Sequence, residues 1–255
     1  MTRAEALALY RPIRAAIQRV LKRAPDACAQ ADYKRAARLL GLEVRGTVVL
    51  DSDREVAMLA DVALFEPNQR GNRAFDRFLR TKAGRLDPAD RAIADRMAGA
   101  FFSIFRVAGR HEAAGLWLED RLDGDRGRLW LVDEAFETSA AEGDLVACRL
   151  FDAGPFHAAF GIVVMVDEET VDLCLGARRT PGQRPLGRHL VPMIYGQDIH
   201  SKALADLPVD EILGLLADAL GGDPTALVGE LDDAEHAGKP DPVPPSRARK
   251  NRPPR

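Results

Sequence analysis

The hydrophobic pattern of the chain changes its period at Phe101, and this change constrains the fold more than any other feature of the sequence. Before Phe101, apolar residues recur every three or four positions, which is typical of amphipathic helices. After it, short runs of alternating apolar and polar residues are separated by glycine-containing turns, which is typical of strands. The runs lie at 101–108, 115–120, 128–133, 145–152 and 156–166. Their spacing predicts a small antiparallel β sheet or a partly closed barrel.

Capping residues mark the helices of the first 100 residues. Thr2 and Glu5 have the spacing of a capping box, and the helix that they begin should end before Pro25. A second helix, starting near residue 26 or 32, should end at Gly41, where a left-handed cap suits glycine. Three further helices are predicted: 54–65 with Asp51 or Asp53 as cap, 73–82, and one from Asp87-Pro88, with the carboxylate as cap, to about 100.

Beyond the strand region the pattern predicts a second helical part and a tail. Residues 168–175 fit a helix or a strand, 176–195 a long loop, and 209–220 and the Asp223-Pro224 start fit helices. The last nineteen residues, 237–255, hold six prolines and six basic residues, so we expect a disordered tail. The predicted fold class is α+β, with N-terminal helices and a C-terminal helix pair flanking the β module. The predicted regions are 1–100 (helical), 101–197 (β module with an arginine-rich loop), 198–236 (C-terminal helices) and 237–255 (tail).

Composition places the chain among soluble globular proteins. Hydrophobic residues make up 46% and charged residues 29%, close to the averages for such proteins, and no run of about 18 apolar residues occurs. We therefore expect no membrane association. The three cysteines are scattered and odd in number, which indicates reduced thiols and a cytoplasmic location.

Charge is distributed unevenly, and this unevenness gives the candidate binding residues. The net charge is +6 over residues 1–45, −14 over 46–236 and +5 over the tail. An anionic partner at the basic ends and contact of those ends with the acidic middle of the same chain both fit this pattern. The candidate residues for binding nucleic acid or another anion lie in an acid-free stretch between Asp172 and Asp198 and in a loop before a predicted helix: Arg178, Arg179, Arg184, Arg188, Arg70 and Arg73.

Candidate catalytic chemistry is confined to one pair. His157 follows Asp152 across a Gly-Pro turn, which can bring an imidazole and a carboxylate together for metal binding or acid/base work. The His111-Glu112 dipeptide lacks the second histidine of a zinc hydrolase motif, and no nucleophile elbow or phosphate-binding glycine loop is present. Trp117 and Trp130 alternate with leucines and are predicted as core residues.

One stretch resembles a module of known proteins. The helix leading into Phe101-Phe-Ser-Ile-Phe-Arg-Val, followed by Leu116-Trp-Leu-Glu-Asp and Leu129-Trp-Leu-Val-Asp, is similar to the small β module of uncharacterised bacterial proteins that often carry a SEC-C zinc motif. The resemblance covers roughly 65 residues, within 101–166. The zinc-binding cysteines of that motif are absent here, so the resemblance implies neither a metal nor a partner.

These observations predict a binding or regulatory protein of the cytoplasm. Nucleic acid, or another anionic partner bound through the basic segments, is the specific version of this hypothesis, and we expect no cofactor and no metal. The alternative is a metal-assisted or acid/base enzyme that uses His157 and Asp152. The sequence leaves the oligomeric state open.

Overall fold

A computed structural model describes residues 1–44, 46–179 and 189–205, without the side chains of 44, 177–179 and 203–205. The predicted helices over 209–220 and from residue 223, the tail 237–255, and most of the arginine-rich loop lie outside these residues. The chain divides into two compact units, Met1–His200 and Ser201–Arg255, and the fold below is that of the first.

Most of the predicted helices are confirmed. Thr2 and Glu5 form both hydrogen bonds of the capping box, and Gly41 ends the second helix with φ of 72°. The helices are α1 (Arg3–Arg23), α2 (Gln30–Leu40), α3 (Asp53–Phe65), α4 (Ala74–Thr81), α5 (Pro88–Met97), α6 (Glu134–Ser139), α7 (Glu168–Arg179) and α8 (Leu190–Ala205), with 3₁₀ turns at Ala24–Ala27, Ala83–Arg85 and Gly124–Arg126.

Two predicted helix caps are wrong. The side chain of Ser52, and not that of Asp51 or Asp53, accepts the hydrogen bond from the backbone N–H of Glu55 at the start of α3. At the start of α5 the Asp87 carboxylate makes no capping hydrogen bond. Proline in the first turn already removes one of the free amide donors there, which lowers the need for a side-chain cap.

The region after residue 166 is more helical than the sequence suggested. Residues 168–179 form α7, which decides between the two predicted alternatives. The predicted loop 176–195 is wrong at both of its ends, because α7 runs to Arg179 and α8 begins at Leu190. Helix α8 contains Pro192 in its first turn, where proline is tolerated, and buries Ile194 and Tyr195.

All five predicted strands are present, and they close into a barrel. The strands are β3 (Phe101–Arg110), β4 (Leu116–Asp120), β5 (Arg128–Leu131), β6 (Leu145–Asp152) and β7 (His157–Met165), in the order β3-β4-β5-β7-β6 and back to β3. A separate hairpin joins β1 (Glu43–Val44) to β2 (Thr47–Val48). The prediction of a small antiparallel sheet or a partly closed barrel needs one correction: β5 and β7 pair in parallel, through Leu131 and His157, and this pairing closes the barrel.

Helices cover only part of the barrel. The interior is filled by alternating side chains such as Phe105, Leu118 and Leu131, and Phe136 of α6 packs among them. The outer surfaces of β6 and β7 carry a second apolar layer, against which α2, α3 and α8 pack. The outer surface of β4 and β5 is left with half-buried and exposed side chains, and the candidate site lies there.

Candidate ligand-binding face of the barrel

Strands β4 and β5 place two tryptophans and an ion pair side by side on the outer surface of the barrel. In their antiparallel register, Trp117 pairs with Trp130 and Glu119 with Arg128. The leucines between them point into the barrel, because successive side chains of a strand alternate between its two faces. We call the outward surface formed by Trp117, Glu119, Arg128 and Trp130, with His111 from the β3–β4 loop, the aromatic face.

His111 is stacked on this surface. Its ring lies parallel to that of Trp130, with centroids 3.8 Å apart and planes 7° apart, and its centroid is 4.7 Å from that of Trp117. The Nδ1 atom accepts a hydrogen bond from the backbone N–H of Ala113 at 3.0 Å. Burial lowers the pKa of His111 although Glu112 opposes the shift. The result is a neutral ring, fixed in orientation, next to both tryptophans.

Trp130 is the inner and Trp117 the outer member of this group. The indole N–H of Trp130 donates to the carbonyl oxygen of Ala114 at 2.7 Å, and its ring contacts Phe156 edge-on, with centroids 5.6 Å apart. Ala6, on α1, belongs to the apolar cluster against which Trp130 packs. The prediction that both tryptophans are core residues is wrong, since both are half-buried on the outside of the barrel. Such rings can stack on a planar ligand.

The other half of the aromatic face is polar. Arg128 Nε donates to Glu119 Oε1 at 2.9 Å, and the two side chains are 61% and 43% exposed. Beside them lies a hollow of about 370 Å³. It is lined by Glu119, Asp120, Arg121, Gly124, Gly127 and Arg128. Here the arginine is balanced by a carboxylate, so this half offers hydrogen-bonding groups with little net charge.

Asp120 fixes the turn that bounds this hollow. Its buried carboxylate accepts hydrogen bonds through Oδ1 from the Ser103 hydroxyl at 2.6 Å and from the backbone N–H groups of Leu122 and Asp123. Its Oδ2 lies 3.4 Å from Arg126 Nε. The turn after β4 is therefore held by one buried carboxylate.

A neighbouring carboxylate joins two arginines. Arg106, on the outer side of β3, donates to Glu168 of α7 at 2.6 Å, and Arg121 lies 3.6 Å from the same carboxylate. These contacts attach α7 to β3 and to the turn after β4. They also place two positive charges at the border of the aromatic face, one of which is offset by Glu168.

The predicted anion-binding residues are not brought together in the part of the chain that the structure describes. Arg70 is exposed in the loop before α4, and Arg73 is half-buried and paired with Asp76 at 2.7 Å. Arg178 and Arg179 end α7, but their side chains are not described. Arg184 and Arg188 lie outside the described residues. The predicted set therefore remains divided between separate elements.

His157 and Asp152 stand opposite each other, as β7 and β6 pair them in register. No ion pair within 4 Å joins the two side chains. Asp152 Oδ1 instead accepts the backbone N–H of Gly154 at 2.7 Å, and its side chain is 71% exposed with Arg96 3.7 Å away. Burial lowers the pKa of His157, which outweighs the opposite influence of Asp152, and its ring meets Phe101 edge-on. This geometry holds a neutral histidine against an aromatic ring.

The described residues contain neither a metal-binding cluster nor a membrane-spanning helix. Among them no three His, Cys, Asp or Glu side chains are grouped closely enough to hold a metal ion. Within the same residues, no helix combines the length and apolarity needed to cross a membrane.

Only one local feature of the sequence indicates the aromatic face. This feature is the recurrence of Leu-Trp-Leu in two neighbouring strands, since equal positions in paired strands put both tryptophans on one face. The residues around His111 indicate only an incomplete zinc hydrolase motif. The stacking of His111 depends on how the β3–β4 loop folds back, which no local pattern predicts.

Comparison with known proteins identifies a family for the chain but no activity. Residues 4–176, which include α1 to α6 and the whole barrel, match the model of a family of unknown function, DUF7986. No curated protein and no solved structure matches the chain. Because the match spans more than half of the sequence, the chain belongs to this family of unknown function (DUF7986).

Proposed function

We propose that the protein binds single-stranded nucleic acid on the aromatic face and has no catalytic role there. The observation that carries this proposal is the cluster of His111, Trp117 and Trp130 on the outside of the barrel, in which Trp117 is half-buried and Trp130 also packs against Ala6 of α1. Aromatic rings in such a position bind bases by stacking, at about 1–3 kcal/mol per base. Only a single strand presents unpaired base faces to a ring, so a duplex would not fit this mode.

The connectivity of the barrel supports the same proposal. Counting from β3, the strand order is first, second, third, fifth, fourth, with the third and fifth strands parallel and α6 between the third and fourth. This order is typical of the OB-fold, whose ligands bind on the second and third strands and the loop before the second. Those elements correspond here to β4, β5 and the loop that carries His111. A fold supports a function only by analogy, so the aromatic face carries the argument.

The charges of the face set the expected character of binding. Arg128 is paired with Glu119, and Arg106 with Glu168, so few unpaired cations face a ligand. Stacking, and not neutralisation of phosphates, should supply most of the affinity at this surface. Binding there should therefore change little with salt concentration, because few counterions are released.

We place this activity in the cytoplasm. Cys28 and Cys148 are free thiols, and Cys148 is buried. Unpaired thiols are typical of proteins from reducing compartments.

The proposal is tested by Trp117→Ala. A fluorescently labelled oligothymidine of about 12 nucleotides is titrated with the full chain, and fluorescence anisotropy gives Kd. Loss of one stacking partner should raise Kd by about 10-fold or more. Tyr33→Ala is the matched control, since Tyr33 is also half-buried but lies on α2. Equal affinity of both variants, or no binding by the unmodified protein, would show that the aromatic face is not a base-binding surface.

A second substitution tests the polar half of the same face. Glu119→Gln removes the carboxylate that pairs with Arg128 and leaves the guanidinium free to contact a phosphate. We expect a lower Kd for the oligonucleotide and a steeper dependence of log Kd on log salt, by about 0.7 for one additional phosphate contact. Glu134→Gln, which frees Arg11 on a different surface, should change neither quantity. An unchanged salt slope in Glu119→Gln would remove Arg128 from the ligand surface.

A further inference from the structure

Positive charge is concentrated on a segment that precedes the barrel in the sequence. Residues 67–86, which include α4 and the following 3₁₀ turn, contain six basic residues and one acidic residue, Asp76. The basic residues are Arg70, Arg73, Arg77, Arg80, Lys82 and Arg85. We call this segment the α4 basic surface. Its net positive charge contrasts with the acidic balance of residues 46–236 as a whole.

The five arginines on this surface fall into two groups. Arg73 is paired with Asp76, and Arg77 with Asp32 of α2, and both arginines are half-buried. Arg70, Arg80 and Arg85 are exposed, and none of them has an ion-pair partner within 4 Å among the described residues. The first group attaches α4 to its neighbours. The arginines of the second group are available to bind an anion.

The helix that carries these arginines is rigidly held. Phe75 and Phe78 are buried in the helical core, with ring centroids 5.7 Å apart, so the opposite side of α4 faces solvent. Arg77 Nε donates to the carbonyl oxygen of Ala27 at 2.8 Å, and Lys82 Nζ donates to that of Asp26. Both acceptors lie in the 3₁₀ turn Ala24–Ala27, directly after the basic last turn of α1. The backbone of α4 is therefore held in place, and binding to it costs less ordering of the chain than binding to a flexible loop does.

From this arrangement we infer that the α4 basic surface binds the sugar-phosphate backbone of a nucleic acid. Arginine suits this partner because its guanidinium is always charged and matches phosphate oxygens with paired donors. An elongated partner is indicated, because the exposed cations come from three successive parts of the chain, namely the loop, the helix and the 3₁₀ turn. Such contacts position a strand without reading its bases. The inference goes beyond the stacking proposal and does not depend on it.

The salt dependence of binding gives the first expectation. If Arg70, Arg80 and Arg85 each contact one phosphate of a single strand, log K should fall with log salt with a slope of about −2.1. That slope corresponds to a loss of affinity on the order of 20-fold between 50 and 200 mM salt. It differs from the weak dependence expected for stacking on the aromatic face.

The experiment uses the full chain and an abasic oligodeoxynucleotide, which has phosphates but no bases to stack. We expect Arg80→Ala/Arg85→Ala to weaken its binding at 50 mM salt by at least 10-fold and to reduce the slope by about 1.4. The control is Arg11→Ala/Arg38→Ala, which removes the same charge from arginines already paired with Glu134 and Glu43. This control should bind as the unmodified protein does.

Several outcomes would overturn the inference. Equal loss in both double variants would show that only net charge matters, and absence of binding at 50 mM salt would exclude a phosphate surface. Binding to anionic phospholipid vesicles but not to the abasic strand would assign the surface to a membrane instead. Trp117→Ala should leave abasic-strand binding unchanged, so failure of the stacking proposal and failure of this inference are separate results.

Discussion

At the scale of single residues, one buried arginine stands out. Arg149 on β6 is 5% exposed and donates to Asp61 at 3.0 Å and to Glu66 at 2.9 Å, while the Tyr195 hydroxyl donates to Asp61. Burial raises the pKa of Glu66 although Arg149 opposes the shift. The group connects the barrel to α3 and α8. Such a network holds elements in one arrangement as long as every charge keeps its partner.

Arg149→Met should therefore be strongly destabilising. It leaves two buried carboxylates without their cation, at an expected cost of about 3–5 kcal/mol in the free energy of unfolding. Urea denaturation followed by tryptophan fluorescence measures this change. Arg128→Met, which removes an exposed pair, should have a much smaller effect. If Arg149→Met does not fold, Arg149→Lys should fold with an intermediate loss, and stability equal to that of the unmodified protein in either variant would contradict the role of the network.

At the scale of elements, the β3–β4 loop is fixed by its last residue. Gly115 has φ of 80°, and a Cβ atom there would overlap the carbonyl oxygen of Leu131 on β5. The backbone of the loop therefore lies closer to β5 than a residue with a Cβ atom at position 115 would permit. This passage brings His111 over Trp130, so one glycine sets the geometry of the aromatic face.

Gly115→Ala should thus affect both stability and the site. We expect a loss of several kcal/mol in the free energy of unfolding, because the left-handed conformation and the overlap add together. Thermal unfolding by circular dichroism measures it. Gly124→Ala is the control, since its Cβ would meet no atom within 4 Å. A Gly115→Ala variant with unchanged Tm would show that the loop can move away from β5 without cost.

The elements also show which parts of the structure a sequence can predict. Strand bounds were predicted within about two residues because alternation and turn glycines are local signals, and the capping box of α1 was predicted for the same reason. The parallel pairing of β5 and β7 was not predicted, because it joins segments that are 26 residues apart and have no local signature. Helix α6 was missed because Glu134–Ser139 is too short for a helical period. The stack of His111 on Trp130 could not be predicted, because it depends on how the β3–β4 loop packs against β5.

At the scale of the whole molecule, two half-buried histidines should link stability to pH. Burial lowers the pKa of His157 and of His111 below the value of about 6.5 expected in the unfolded chain. The unfolded state then binds more protons, so stability rises with pH in this window. The contribution is present above about pH 6.5 and is lost as the pH falls through the folded-state values.

Tm should accordingly fall between pH 7.5 and pH 5.5, and the fall should be smaller in His157→Gln. Differential scanning calorimetry at both pH values measures the two slopes. Asp90, whose pKa is lowered by its hydrogen bonds with Arg19, titrates below this window and should not contribute. Identical slopes for the two proteins would show that the folded state does not favour the neutral form of His157.

The parallel contact that closes the barrel also has a consequence for how the chain folds. Three antiparallel strands, β3 to β5, can pair as soon as they exist, because short connections join them. Closure must wait until β7 reaches β5 past α6 and β6, and loop-closure entropy opposes such a distant contact until it forms. The slowest folding step of this protein should therefore be the arrival of its last barrel strand, during which β5 keeps an unpaired edge.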